Sequence, residues 1–206
     1  MAIAEIADAQ TPRPASDVGT DGRADLPEVL RRLALTAIYT LGFRSVVVNL
    51  RRPDGSYVVV SDIGLEQELL GSVTSAELWA DLLHDEYRVS NSYLISPEHT
   101  LTVTQMHADT VWSTPDIPPA TTPDCWDPDH MLVVPLLNHA GETIGLFSVD
   151  SPVDGKLPTR ERIVHLETFA QHAALEVENA ALLDQLSLKV EHLGALLAIS
   201  CDISSS

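Results

Sequence analysis

The spacing of apolar residues divides the chain into a polar start, a series of strands and short helices, and one long helix at the end. Residues 1–24 are rich in Ala, Asp, Pro, Gly and Thr and offer little apolar surface, which predicts a disordered tail. Residues 25–42 repeat apolar positions at helical spacing, with Pro27 in the first turn and Gly42 at the end, so they predict a helix. Its apolar stripe consists of Leu26, Leu30, Leu33, Ala37 and Leu41.

Two segments have the pattern of β-hairpins. Residues 44–62 place two β-branched runs on either side of Pro53-Asp54-Gly55, where proline presets φ and glycine accepts a positive φ. Residues 130–151 form a second pair of runs, with Ala140-Gly141 near the turn. Hairpins join antiparallel strands, so we expect an antiparallel sheet with the terminal helices covering one face.

The stretch between the hairpins has weaker patterns. Residues 74–86 predict a short helix capped by Thr74 or Ser75. Residues 87–95 alternate as a single strand with mixed faces, and residues 101–106 favour a further short strand.

The final helix is predicted to begin after Thr159, a suitable N-cap, and to continue past the end of the domain. Its apolar seam consists of Leu183, Leu186, Val190, Leu193 and Leu197. These residues follow one another at steps of three and four, which is the heptad pattern of a coiled coil. We expect a parallel homodimer through this seam; the alternative is a helix that folds back on its own domain.

Composition and charge narrow the function classes. The 206 residues include 12 basic and 30 acidic ones, and the formal net charge is -18. Such a surface repels phosphate groups, so nucleic acid and anionic lipid are not expected partners. The chain has no apolar run of about 20 residues, as a membrane span needs, and its start lacks the pattern of a secretory signal. Its two cysteines form neither a metal spacing nor a disulfide framework, and a cytoplasmic protein is the expectation.

Several short motifs of the C-terminal half occur together. They are Val134-Pro135-Leu136 at the end of a strand, Gly141 in a turn, Ile144-Gly145, Asp150-Ser151-Pro152, Leu166-Glu167-Thr168-Phe169-Ala170 and Glu178-Asn179-Ala180. Together they resemble the C-terminal half of bacterial GAF domains, and residues 87–95 and 126–136 resemble the subset of these domains found in front of signalling outputs. The resemblance covers roughly residues 26–186.

This resemblance implies an α+β fold, with a central antiparallel sheet of five or six strands flanked by helices and a long C-terminal signalling helix. The sensor domain would span residues 25–180, and residues 181–206 would be a coiled-coil extension. The implied function is a non-catalytic regulatory sensor in a bacterial signalling protein. Its last helix would lead to an output domain of the same full-length chain, either a histidine kinase or a cyclic-di-nucleotide enzyme. The alternative is a structural dimerisation module whose pocket is filled by its own side chains.

A small-molecule pocket is expected under the loop at residues 107–129, which holds five prolines and two tryptophans. Loops this long are usually functional or mobile, and pockets are mostly apolar with a few polar groups. The predicted ligand-binding residues are Arg88, Ser90, Ser92, Tyr93, Trp112, Trp126 and His130. The ligand and any cofactor remain open, as does whether the loop covers the pocket or fills it.

Other chemistries have weaker support, and neither a catalytic nor a metal site is predicted. Some GAF domains attach a bilin to a cysteine beside a histidine, but Trp126 follows Cys125. Methionine sulfoxide reduction needs a nearby second cysteine, and Cys201 lies outside the expected domain. His107 and His130 flank the loop as haem-ligand candidates. The acidic residues of the loop are more typical of turns than of a cation site, and the cyclic-nucleotide motif of some GAF domains is absent.

Overall fold

The computed structural model describes residues 26–65 and 68–204, with side chains described as far as Leu193. The predicted disordered tail at residues 1–24 and the side chain of Leu197 lie outside the described part. Within it, the secondary-structure elements follow the order of the chain. They are α1 (Leu26–Leu41), β1 (Phe43–Arg51), β2 (Tyr57–Ile63), β3 (Val73–Thr74), α2 (Ala76–Leu82), a short 3₁₀ helix (Asp85–Tyr87), β4 (Arg88–Val89), β5 (Ser92–Ile95), α3 (Pro97–Met106), β6 (Met131–Leu137), β7 (Thr143–Pro152) and α4 (Arg160–Ser204).

The strands form one sheet in the order β3-β2-β1-β7-β6-β5-β4, and all of its neighbouring strands are antiparallel. The α+β class and the antiparallel sheet are therefore confirmed. The sheet has seven strands rather than the predicted five or six, because two-residue strands extend both edges. Strands this short carry no sequence periodicity that would predict them.

The segment at residues 87–95 is not the single strand that its alternation predicts. Ser90 has a φ of 61°, in the left-handed region, and it turns the chain so that β4 and β5 pair with each other. Arg88 lies opposite Tyr93 in this hairpin. The turn reverses the chain, and the faces predicted from simple alternation do not apply across it.

The predicted strand at residues 101–106 is wrong, because this segment belongs to α3. Ser96 caps the helix by accepting a hydrogen bond at Oγ from the His99 amide, and Pro97 occupies the first turn. These are the standard start signals of a helix. They outweigh the β-branched residues that follow, whose preference for strands is weak and depends on context.

The local signals elsewhere are confirmed. Helix α1 ends at Leu41, before Gly42 with a φ of 68°. Ser75, one of the two candidates, caps α2 by accepting from the amide of Leu78. Thr159 Oγ1 accepts from the amide of Arg162 at the start of α4.

The two faces of the sheet carry separate apolar clusters. On the helix face, α1 and α4 pack on inward residues of β1, β6 and β7, including Val48, Val134 and Phe147, all at most 2% exposed. On the opposite face, which we call the cavity face, α2 and α3 pack on Tyr57, Val133 and Leu146. The alternation of the central strands therefore serves two cores.

Helix α4 covers the sheet only along its first half. Its buried positions run from Ile163 to Val177, whereas Leu183, Leu186, Val190 and Leu193 are 48–68% exposed. The helix continues without a break, so it does not fold back on its own domain. No helix in the described part of the chain is both long and apolar enough to cross a membrane.

Candidate ligand-binding site

A cavity lies on the cavity face, between the central strands and a cover made by α2 and the start of the long loop. The volume of this cavity that is accessible to the centre of a water molecule is about 80 Å³. Strands β1, β2, β6 and β7 supply the floor, and Trp79 and Trp112 belong to the cover. Each water needs roughly 10–15 Å³ measured in this way, so the cavity has room for a compact ligand or several waters.

The floor carries a row of polar side chains in the middle of an apolar sheet. Ser45 and Asn49 come from β1, and Ser148 and Asp150 come from β7. Asp150 pairs with Ser45 and Ser148 pairs with Val47, so these residues share one face of two neighbouring strands. Asn49 is only 2% exposed. An apolar core would not need these residues, and polar groups converging on an apolar pocket are typical of a binding site.

Two polar atoms at the cavity are buried without a hydrogen-bond partner among the described residues. They are Trp112 Nε1 and Ser148 Oγ. Trp79 differs, because its Nε1 donates a 2.8 Å hydrogen bond to Thr74 Oγ1. A buried polar group without a partner costs about 1–3 kcal/mol, so such groups usually face a bound water or ligand.

Asp150 connects the cavity to the loop. Its Oδ1 accepts a 2.9 Å hydrogen bond from Trp126 Nε1 and further bonds from the amide and hydroxyl of Ser151. Burial raises the pKa of Asp150 to about 6, although these three donors favour the charged form. Within the described structure, no hydrogen bond reaches its other oxygen, Oδ2. Asp150 lines the cavity and therefore offers it a carboxylate oxygen, Oδ2, that can accept a hydrogen bond.

The structure places three predicted residues at or near Asp150 and the cavity. Trp112 lines the cavity. Trp126 does not: it is 3% exposed, packs in the core of the helix face and reaches Asp150 through its indole nitrogen. His130 stacks on Trp126 with ring centres 5.3 Å apart, and its Nδ1 accepts from the Asp127 amide. Burial lowers the pKa of His130.

The structure does not bring the predicted serines to the cavity. Ser90 Oγ and Ser92 Oγ both donate to the carboxylate of Glu167 on α4, at 3.0 and 2.7 Å. The Asn91 amide donates to the same carboxylate. Because β5 follows a turn and pairs with β6, Ser92 points to the helix face. These residues attach the edge of the sheet to the last helix.

Arg88 and Tyr93 also lie outside the cavity. The exposed Arg88 side chain donates through Nε to the carbonyl of Ser90 within its own hairpin. Tyr93 lies on the cavity face and packs against the same apolar cluster as Trp112.

The long loop has two parts. Residues 111–113 form part of the cover of the cavity, whereas the later part runs beside the loop that follows β7. There, the amide of Trp126 donates to the carbonyl of Gly155, and the amide of Leu157 donates to the carbonyl of Asp124. The loop thus covers the cavity at its start and buttresses the entry to α4 at its end.

The residues weighed for other chemistries have local partners. Cys125 Sγ lies 3.1 Å from Thr122 Oγ1, and His107 Nε2 lies 2.9 Å from Asp81 Oδ2. Among the residues that the structure describes, no group of three or more His, Cys, Asp or Glu side chains could hold a metal ion.

Sequence reasoning missed the floor residues, although a weak signal was present. Asn49 interrupts a β-branched run, and Ser148 and Asp150 alternate with Phe147 and Val149. Alternation in a strand normally indicates one solvent-facing side. Here the polar side faces a cavity, because α2 and the loop cover this side of the strands. The pattern of a single strand does not contain that information.

Solved structures share this fold at low sequence identity. The GAF domain of Thermosynechococcus elongatus PixJ, in its blue-light-absorbing form, is 15% identical with a TM-score of 0.56, over 82% of this chain and 94% of that one. Residues 122 to 287 of a methyl-accepting chemotaxis protein are 20% identical with a TM-score of 0.54, over 77% and 92%. The second GAF domain of DevS from Mycobacterium smegmatis is 16% identical with a TM-score of 0.51, over 79% and 99%.

A search of curated protein sequences found no significant match. The sequence model of the GAF domain family matches residues 25–177, which includes every strand and the domain-covering half of α4. The match spans both the cavity face and the helix face described above. With this match and with neighbours that have the same fold, the chain belongs to the GAF domain family.

Proposed function

We propose that this chain is the non-catalytic sensor module of a bacterial signalling protein. A small molecule binds in the cavity beneath Trp112, and the dimeric C-terminal helix transmits its presence to an output domain of the same full-length protein. A histidine kinase or a cyclic-di-nucleotide enzyme would suit that position. The observation that carries the proposal is the polar floor, where Ser148 Oγ and, in the cover, Trp112 Nε1 are buried without a hydrogen-bond partner among the described residues.

The connection from the cavity to α4 is short. Asp150 lies at the end of β7, which leads through Pro152 and a tight loop to Thr159 and the first turn of α4. Arg162 in that turn donates to the carbonyls of Leu41 and Gly42 at the end of α1. A shift at the cavity floor can therefore reach both terminal helices through covalent bonds and one side chain.

Transmission in this scheme is a shift of population between two arrangements of the helices. A ligand changes that equilibrium only by its difference in affinity for the two arrangements. Asp150 provides the difference if the bound ligand moves its carboxylate relative to Trp126 and Ser151, the residues that hold it. The chemistry of the ligand is not altered, so no catalytic residue is required.

Dimerisation is supported by the exposed seam of α4. Leu183, Leu186, Val190 and Leu193 are too regularly spaced and too exposed for a helix that ends in solvent. Burial of apolar surface contributes about 25 cal/mol for each square ångström, so packing this seam against a second copy of the same helix is favourable. A parallel pair would place two sensor domains side by side and both helix ends together.

A structural dimerisation module is the rival, and the small size of the cavity favours it. Trp79 and Trp112 pack edge to face, with ring centres 6.4 Å apart, and occupy much of the space above the floor. In this rival the seam of α4 has the same role, but the cavity binds only water. A methionine sulfoxide reductase or a haem sensor has less support, since Cys125 and His107 have the local partners described above.

Native mass spectrometry of the untagged protein tests the proposal, with the denatured mass as reference. A dimer carrying additional non-covalent mass would support it and would give the mass of the ligand. The Ser148→Phe variant, which fills the cavity floor, should lose that additional mass and remain a dimer. A bare dimer would favour the structural rival, and a bare monomer would contradict transmission through α4.

A further inference from the structure

The described side chains that line the cavity carry charge of one sign only. Asp150 is the only ionisable residue of the described lining, which contains no Lys, Arg or His. Arg44 lines the neighbouring opening with Asp150 but not the cavity itself. An anionic ligand would meet a partly buried carboxylate with no compensating charge, and it would be repelled in a medium where charges interact strongly.

Asp150 has the geometry to receive a donor. Its Oδ1 is occupied by Trp126 and Ser151, whereas Oδ2 has no hydrogen bond within the described residues. Burying an apolar group against this oxygen would remove water without replacing its hydrogen bonds, and a neutral donor would replace a hydrogen bond but leave the charge uncompensated. A positively charged N–H group would replace them and compensate the carboxylate charge.

The cover of the cavity suits the same chemistry. Trp79 and Trp112 both line it, at an interplanar angle of 63°. Among aromatic side chains, tryptophan attracts cations most strongly, and desolvated sites strengthen the attraction. A carboxylate on one wall and two indole rings on another are complementary to an organic cation.

We propose that the cavity binds a small organic cation: a protonated amine on a compact apolar body, with its charged group at Asp150 Oδ2 and its apolar part against Trp79 and Trp112. This inference rests on the proposed function and specifies the chemical class of its ligand. The polar atoms Trp112 Nε1 and Ser148 Oγ would be met by a further polar group of the ligand or by a water bound with it. The volume of about 80 Å³ limits the ligand to a small molecule.

Three probes of nearly equal size separate the charge classes: benzylamine as the cation, benzyl alcohol as the neutral analogue and benzoate as the anion. Isothermal titration calorimetry of the full chain at pH 7.5 should show benzylamine binding about tenfold more tightly than benzyl alcohol, with benzoate weakest. The alcohol and benzoate can accept from Trp112 Nε1 and benzylamine cannot. An equal or reversed order would therefore show that Trp112 rather than Asp150 selects the ligand, and would overturn the inference.

The variant Asp150→Asn keeps the shape and an acceptor for Trp126 but removes the charge. It should bind benzylamine about tenfold more weakly than the wild type and leave benzyl alcohol unchanged. Asp124→Asn is the matched control, because it removes one exposed carboxylate outside the cavity. A thermal melt checks that Asp150→Asn folds. If Asp150→Asn retains the preference for benzylamine, the inference is wrong.

A pH titration provides a second measurement that does not depend on the variant. Lowering the pH from 7.5 to 5 protonates Asp150 and should weaken benzylamine binding several-fold, since the pKa of this carboxyl is about 6. The charge of nearby Asp129 also raises the pKa of Asp150, and His130, which packs on Trp126, is a second titratable group close by. If Asp150 is the group that binds the cation, the pH effect should vanish in Asp150→Asn. A pH effect that persists in this variant would come from a neighbouring group and would contradict the role proposed for Asp150.

Failure of this inference can be separated from failure of the proposed function. If none of the three probes binds, or if benzoate binds best, the ligand class is overturned. Additional mass on the native dimer that is lost in Ser148→Phe would still support a ligand-binding sensor. If that mass is also absent, the proposed function fails as well.

Discussion

Ser92 Oγ donates a 2.7 Å hydrogen bond to Glu167 Oε1, which joins the edge of the sheet to the C-terminal helix across 75 positions of sequence. The same carboxylate accepts from the hydroxyl of Ser90 and the amide of Asn91. Glu167 is 7% exposed, and Ser92 is fully buried. A buried carboxylate with three donors is stable without a basic partner, so the contact holds the hairpin β4–β5 and α4 as one unit.

Replacing Glu167 with Ala should lower the free energy of unfolding by about 2–4 kcal/mol. The substitution leaves the buried Ser92 hydroxyl without an acceptor, which costs about 1–3 kcal/mol, and it also removes the bonds from the exposed residues Ser90 and Asn91. Urea unfolding followed by circular dichroism measures the change. Glu176→Ala, at an exposed position of the same helix, should change stability by less than about 0.5 kcal/mol. Equal effects at the two positions would show that the hairpin contact contributes little.

Two serine-to-alanine changes should affect stability differently. Ser92→Ala removes a donor from a carboxylate and should cost about 1.5–3 kcal/mol, the usual range for hydrogen bonds to charged groups. Ser148→Ala removes a buried hydroxyl that has no hydrogen-bond partner in the described part of the chain, and it should be neutral or stabilise by up to about 1 kcal/mol. Thermal and urea unfolding compare the two. A marked loss of stability in Ser148→Ala would indicate that a bound molecule already satisfies its hydroxyl.

The stability contributed by Asp150 should fall as pH rises. Its pKa is raised to about 6 in the folded protein against 3.8 for the free group, so the folded state binds the proton more tightly. Well below pH 3.8 both states are protonated and there is no penalty; between about pH 3.8 and 6 the penalty of the buried charge develops, to at most about 3 kcal/mol. Asp150→Asn should therefore gain stability relative to the wild type over this interval. Urea unfolding of both proteins at pH 4, 5, 6 and 7.5 measures it, and a constant difference would contradict the raised pKa.

The seam of α4 should control oligomeric state. Leu186→Asp places a charge in the predicted dimer interface and should weaken dimerisation at least about tenfold, because a buried unpaired charge is strongly unfavourable. Leu188→Asp is the control, on the same helix but off the seam, with similar exposure of the native side chain at 49% against 57%. Sedimentation velocity over a range of concentrations distinguishes them. Equal dissociation in both variants would argue against this seam, and no dissociation in either would place the dimer contact elsewhere.

Local features of the sequence were sufficient for much of the fold. Pro27 and Gly42 bound the first helix, and Pro53-Asp54-Gly55 places the first hairpin, since these residues restrict φ irrespective of distant neighbours. The segment at residues 101–106 forms a helix and not the predicted strand, because the helix start at Ser96 and Pro97 outweighs the strand preference of its β-branched residues. The predicted limits of the sensor domain, at residues 25 and 180, remain a prediction.

The candidate site depended on contacts between distant segments. Trp112 was found from the sequence, but Ser45, Asn49, Ser148 and Asp150 were not, because they share a face only once β1 pairs with β7. Conversely, Ser90 and Ser92 have the residue types of a binding site, and the turn between β4 and β5 brings them to Glu167 instead.

The sequence by itself determined the elements whose signals are local: helix caps, turn residues, the alternation of long strands and the repeat of α4. Only the tertiary structure decided which polar residues are enclosed. Alternation states that a side chain is on one face of a strand, but solvent, another strand or a covering helix can lie on that face. Burial is a property of the whole arrangement. It raises the pKa of Asp150, leaves the Trp112 nitrogen without a partner among the residues that the structure describes, and encloses the cavity that both residues line.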